Sequence, residues 1–504
     1  MSLPILLWVA FYMYSSRHRH YWRNQGIPYE EFSILSMATS PYHKESFPGE
    51  RDLQRLKRRG RVYGTFEGSM PALCVSDPAL IKDIFIKNFA SISSTSAGGF
   101  FDPVLDNMLS LCPFEVWRRI RPLLLPAFAT GNLRKMNGIL QECARKTAQR
   151  LINFADSGEC VDADNVFGHY TAEIIARCAF GVDADYFEMD EFVKRTLSTE
   201  RAAPLRKAIT HLSPTISKIL KVGPVNPRHA QFAKHTARTL IQCRKPRSNE
   251  RTDLLQVAVE TLTVLLEGHD SATAGHKRCQ DIPSEQREEY LKRGVTAEEM
   301  MSQCALYLIA GTETPVTPLT VAASYLAKKP EIQARLKDEI DSCFTETDTE
   351  PSFEEINKLT YLNAVISEAL RIHPPIARLE RCVVEDITLV EQGIQLHKGM
   401  PVFVPLHALH RDPEFFPEPE CFNPERFLKE DSDSILRYAY LPFGAGPRAC
   451  IAMRFALYAM KVCLLQAVRN VEFVDPEKFS PKCRNENSED ELTELSFKVR
   501  RRMP

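Results

Sequence analysis

Apolar and polar positions follow three different rhythms along this chain. The first is a short unbroken run: LPILLWVAFYMY, residues 3–14, carries no charge and is followed at once by SSRHRHYWR. No basic residue precedes the run, so it lacks the layout of a cleaved signal peptide, and the basic cluster behind it assigns the rest of the chain to the cytosolic side. As a helix it covers about 18 Å of a hydrocarbon core about 30 Å thick, so it predicts an anchor that either takes in the aromatics up to Trp22 or sits shallowly. Residues 1–22 are therefore expected as membrane anchor and basic flank, 23–59 as a linker, and 60–504 as one large domain.

The second rhythm is helical and dominates the first three quarters. LRKMNGILQECARKTAQRLINFA (133–155) and FGHYTAEIIARCAFG (167–181) repeat apolar residues at helical spacing, the latter ending on a glycine suited to a C-cap. Thr296 and Glu299 form a T-x-x-E capping box, which starts a helix from 297 to about 328. The stretch 243–293 is polar and charged around LLQVAVETLTVLLEG and predicts a surface excursion. The third rhythm begins after Arg378, where CVVEDITLVEQGIQLHKGMPVFVPL turns to β-branched residues and glycine turns and predicts two short hairpins. There is no internal repeat, so the fold class is mostly α with a smaller β portion.

Composition sharpens this picture in two ways. With 44% hydrophobic residues in 504, the chain can bury a large core; a net charge of −1 supplies no field for nucleic acid. The 14 cysteines stand singly, with no C-x-x-C pair and no zinc-like spacing. That pattern reads as a reducing compartment, with most thiols acting as small buried hydrophobes.

Four short stretches carry candidate chemistry. AGTETP, Ala310 to Pro315, lies mid-helix; Ala310, Gly311 and Thr314 share a face that a flat group could approach, and Glu313 with Thr314 offers a carboxylate and a hydroxyl for proton relay. A helix-packing notch with a back-bonded threonine is the alternative, which Pro315 weakens because it removes a helical donor and opens the helix. In SEALRIHPP, Glu368 and Arg371 stand at i and i+3, and Arg426 of FNPERF could complete a buried network; alone the pair is an ordinary helical ion pair. In WRRIR, Trp117 and Arg121 share a helix face and could bind an anion, or belong to a solvated basic helix. FGAGPRACIA presents Cys450 from a small-residue loop just before a helix N-terminus, where a thiolate is stabilised and could ligate a metal in a large planar cofactor, with Arg448 pairing that cofactor's carboxylates.

Together these motifs resemble the cytochrome P-450 family: FGAGPRAC its cysteine-ligand signature, AGTET its oxygen-activating helix, EALR its E-x-x-R, FNPERF the arginine partner, and WRRIR the helix of the haem propionates. RLERC, LHALHRDPEFF and CIAMRFAL are most similar to the animal clan holding the vertebrate drug-oxidising family 3 enzymes and thromboxane synthase. The resemblance covers roughly residues 60–475 and implies haem b, with Cys450 as thiolate ligand, between the oxygen-activating helix and the cysteine loop. It also implies that Trp117, Arg121, Arg381 and Arg448 hold the propionates, with Phe443 and Ala310 beside the cofactor, and that Thr314 and Glu313 deliver protons during dioxygen cleavage. A monooxygenase of this kind takes electrons from NADPH through a separate flavoprotein reductase, with a small electron-carrier haem protein as a second donor, at the endoplasmic reticulum membrane. Arg118, Arg119 and Arg134 are candidate contacts for an acidic partner, or a solvated face. A lipophilic substrate is implied, in a pocket formed by Phe100, Phe101, Ala310, Ile376 and Ala377.

The chain departs from the family pattern at Ala452, where glycine is usual, and at Pro315, where a second threonine is commoner. It also lacks the proline-rich hinge in GIPYEEF and a basic residue in ISSTSAGG. Two other classes share the motifs in part: a haem-thiolate isomerase acting on a peroxide, and a non-catalytic haem-binding protein.

Overall fold

The computed structural model describes residues 12–13, 16–31, 48–67, 69–95, 102–182, 227–242, 253–256, 296–342, 350–428, 434–475 and 496–502. The apolar run at the N-terminus, Phe100 and Phe101, and nearly all of 243–293 fall outside them, and no described helix is long and apolar enough to cross a membrane.

The architecture is mostly helical with a smaller sheet portion, as the periodicity predicts. Its elements, in chain order, include α1 (Pro48–Arg59), β1 (Val62–Glu67), β2 (Met70–Val75), α2 (Phe114–Leu124), α3 (Asn137–Ser157), α4 (Ala163–Phe180), α5 (Ala297–Glu313), α6 (Val316–Lys328) and α7 (Thr360–Ile372). The β-rich quarter adds β3 (Arg378–Cys382), β4 (Ile387–Leu389), β5 (Ile394–Leu396) and β6 (Pro401–Pro405), after which come α8 (Met453–Asn470), β7 (Val471–Val474) and β8 (Lys498–Arg501). The main helical core joins α3, α4, α6, α7 and α8 through residues such as Leu151, Phe167, Leu326, Val365 and Leu464, all buried. α3 buries a single face, whereas α4, α6 and α7 are buried nearly all round because each is covered on more than one side.

A separate four-stranded sheet, in the order β1-β2-β6-β3, carries the second core. The two expected hairpins are instead nested: β4 and β5 form a tight antiparallel pair, and β3 pairs with β6 around it, Arg381 opposite Val402. Gly393 and Gly399, at φ +65° and +89°, supply the left-handed turns that fold this nest back on itself.

The stretch expected as anchor flank and linker is partly built into the domain. Trp22 is fully buried, lies flat where any Cβ on Gly64 would stand, and donates from Nε1 to the Thr65 carbonyl at 3.0 Å. In α1, Asp52 is fully buried between Arg55 and Arg378, which fastens the helix to β3. Cysteines supply another difference: nine described thiols are free, seven of them buried as expected, but Cys160 is disulfide-bonded, which single spacing gave no means of foreseeing.

Candidate functional site

The Thr296–Glu299 capping box forms as the sequence predicts: Glu299 N donates to Thr296 Oγ1 at 3.1 Å and Thr296 N to Glu299 Oε2 at 2.9 Å. The expected single helix is split into α5 and α6 at Thr314 and Pro315, because the proline has no N–H to continue the ladder. Thr314 Oγ1 donates back to the Ala310 carbonyl at 2.6 Å, and its side chain opens onto a cavity of about 410 Å³. Ala310, Gly311 and Pro315 line the same cavity. Gly311 has a second reason to be small: a Cβ there would stand 2.3 Å from Ile175 Cδ1 of α4. Glu313 is half-buried and is not part of the cavity wall; burial raises its pKa.

Opposite α5, the loop 443–450 is shaped by Gly444 and Gly446 at φ +71° and +73°. Side chains would also collide there, since a Cβ on Gly446 would lie 2.3 Å from the Phe85 carbonyl. Cys450 N donates to the Phe443 carbonyl at 2.8 Å, closing the loop and placing the thiol on the cavity wall. Cys450 is exposed only in the sense that it faces this cavity; its surroundings are protein, and burial pushes its thiol up despite the Ala452 N–H and Arg121. An apolar thiol of this kind becomes a thiolate when a metal ion supplies the missing positive charge. Ala452, at φ −94°, occupies ordinary backbone space, so its methyl imposes no conformational strain.

Four more expected residues converge on the same cavity. Trp117 and Arg121 from α2, Arg381 from β3 and Arg448 from the cysteine loop all line it. Trp117 is fixed by Phe89 and Phe114, 5.5 and 5.8 Å away between ring centroids. The Arg448 and Arg121 guanidinium carbons lie 5.1 and 5.7 Å from the Trp117 ring centroid. Arg121 Nη2 donates to the Ala449 carbonyl at 2.9 Å and Arg448 Nη2 to the Cys112 carbonyl at 3.0 Å. None of the three arginines forms an ion pair among the described residues, and Arg448 Nε and Nη1 are buried with no partner. Burial without a counter-ion pushes Arg381 and Arg448 down to about 10, and it lowers Arg121 as well. A thiol, three under-neutralised guanidiniums and a slot walled by Ala310, Phe443 and Phe455 fit a flat iron macrocycle with two carboxylates.

The other expected residues fall in different places. Glu368 and Arg371 are fully buried, bridged at 2.7 Å, and Arg426 Nε reaches Glu368 at 3.4 Å; this network lies outside the cavity. Arg371 also donates to the His410 and Pro419 carbonyls at 2.8 Å each. Ile376 lines the cavity but Ala377 does not; its carbonyl accepts instead from His407 N at 3.4 Å. Of the three candidate partner contacts, Arg119 is committed to a bidentate pair with buried Glu299, while Arg118 and Arg134 remain at the surface, paired with Glu115 and Glu354. Sequence reasoning missed Ile174 and Ile175 as cavity residues, because α4 reads only as a core helix, and it missed Leu254, which is buried on the cavity wall although its stretch reads as a surface excursion.

Comparison with known proteins gives a concordant result. A family model described as Cytochrome P-450 matches residues 43–498. The chain is 31% identical to cytochrome P-450 3A28 of Bos taurus over 473 residues, covering 92% of this chain and 88% of that protein. It is 30% identical to cytochrome P-450 3A9 of Rattus norvegicus over 94% of this chain and 90% of that protein. It is also 30% identical to cytochrome P-450 3A7 of Homo sapiens, over 92% and 89%.

Proposed function

The chain belongs to the cytochrome P-450 family, and on that premise we propose that Cys450 ligates haem b in an enzyme that inserts one atom of dioxygen into a lipophilic organic substrate. The protein is a haem-thiolate monooxygenase. The observation that carries the residue assignment is the set of three guanidiniums that line one cavity with Cys450 and have no carboxylate partner among the described residues. Arg121, Arg381 and Arg448 bind the two propionates, and the Trp117 indole supports them with a donor and a face for cations. Ala310 and Phe443 flank the macrocycle.

When bound, the haem supplies dioxygen activation, which thiolate ligation favours. Thr314 is the nearer proton group, because it lines the cavity and its hydroxyl needs only to rotate away from the Ala310 carbonyl to donate inward. Glu313, with its pKa raised by burial, retains a proton at its carboxyl further toward neutral pH than a solvated acid and replenishes Thr314 from behind. The apolar wall formed by Leu306, Ile376 and Leu379 excludes water and favours a lipophilic substrate.

Electrons come from NADPH through a separate flavoprotein reductase, with a small haem carrier as a second donor. Arg118 and Arg134 remain as surface groups for such acidic partners, whereas Arg119 does not. The N-terminal run anchors the chain in the endoplasmic reticulum membrane with the catalytic domain facing the cytosol. Reconstitution with reductase and NADPH tests the whole reading. The expected result is NADPH consumption that yields a hydroxylated product from one member of a lipophilic panel; rearrangement of a peroxide without NADPH, and no other turnover, would replace it with an isomerase.

A further inference from the structure

One irregular segment outside the recognised motifs touches both halves of the cofactor site. The helix begun at Pro78 under an Asp77 N-cap widens into a π-helix over Asp83–Lys87, with Asn88 N donating to the Asp83 carbonyl at 2.8 Å. Widened turns of this type are rare and recur at functional sites. Here the widened turn places one residue, Phe85, against two cofactor-site elements that are far apart in sequence. Its carbonyl oxygen occupies the place where Gly446 would carry a Cβ. The same residue's ring lies under Arg381, the guanidinium carbon 4.8 Å from its centroid. Phe85 is itself 2% exposed, so neither contact is shared with water.

We propose that Phe85 is a positioning residue for the cofactor site, its carbonyl seating Gly446 of the thiolate loop and its ring seating the Arg381 guanidinium. The π turn thus sets the distance between the loop that presents Cys450 and the arginine that meets a carboxylate. A buried cation held over an aromatic face keeps its orientation without an acidic neighbour, which would otherwise compete with the incoming carboxylate. Arg381 fits this arrangement, since among the described residues it forms no ion pair and its Nη1 donates to the backbone carbonyl of Glu380, at 2.7 Å. The inference rests on the cofactor reading above.

The test compares holo wild type, Phe85→Leu and a series carrying increasingly fluorinated phenylalanine at 85, by the rate of haem transfer to an acceptor globin. Melting of the haem-free proteins is measured alongside. Phe85→Leu, which also gives up some core packing, is expected to lose haem about tenfold faster and to be destabilised more in its haem-bound than in its haem-free form, and successive fluorines should speed haem loss stepwise. Haem loss within twofold of wild type, or equal destabilisation of haem-free and haem-bound forms, would overturn the inference. If Phe85→Leu fails to fold, the fluorinated series alone decides, a flat series counting against. Wild type that binds no haem at all would instead remove the cofactor reading, a separate outcome.

Discussion

Two groups of buried arginines in this molecule differ in one respect. Around Glu368, Arg371 and Arg426 share a carboxylate, and the remaining guanidinium protons reach the carbonyls of His410, Glu418 and Pro419. Around Cys450, Arg121, Arg381 and Arg448 line a cavity with no carboxylate partner among the described residues, and two Arg448 nitrogens have no acceptor there. A closed network of the first kind holds the fold and has no capacity left to bind anything. An open cluster of the second kind costs stability until an anion arrives, so it marks a ligand site. Burial and basicity alone do not separate the two; the presence of an acidic partner does.

Substitutions should separate them further. The largest effect falls at the centre of the open cluster, where Cys450→Ser should abolish the thiolate-type absorption spectrum; an unchanged spectrum would show that another residue ligates. Next, Arg371→Ala should destabilise the protein by about 3–5 kcal/mol in urea unfolding, with or without haem, because it leaves Glu368 charged and buried. Arg448→Met should behave in the opposite way, leaving the haem-free protein as stable or more so while weakening haem binding by about 10- to 100-fold in a titration. Equal loss of stability in both forms would place Arg448 in the closed class. Thr314→Ala should keep spectrum and stability and raise the share of NADPH consumed without product by about tenfold, measured as peroxide formed.

The smallest effect is a pH slope beside the closed network. Burial, with nearby arginines adding, holds His373 down to about 4 and His410 to about 3, against 6.5 when solvated. Between these values the unfolded chain takes up protons that the folded chain does not, so stability falls as pH drops from 6.5 toward 4. His410→Asn should reduce that slope, leaving the part that His373 contributes, in urea titrations at successive pH values; an unaltered slope would mean that His410 is not held neutral.

Much of the site was legible because its chemistry is local in sequence. The capping box, the proline break after Thr314 and the glycine loop before Cys450 each depend on residues within a few positions of one another. Even the Glu368–Arg371 pair sits within one helical turn. What stayed hidden depends on contacts between distant segments. The nested strands required knowing that β3 returns to β6 across the β4–β5 hairpin. Gly311 looked like space for a ligand, yet it also admits Ile175. Arg119 looked like its neighbour Arg118, but only the fold brings it to Glu299, 180 residues away. The docking of Trp22 on Gly64 likewise leaves no trace in the periodicity of a stretch that reads as basic flank.

The central claim is that the open arginine cluster and Cys450 together form a haem-thiolate site. The most direct test is the reduced carbon-monoxide difference spectrum of the purified wild-type protein. A strongly red-shifted Soret band is the predicted result. Haem-loaded protein without that band would contradict the account, because the open cluster would then hold the cofactor without Cys450 as its ligand.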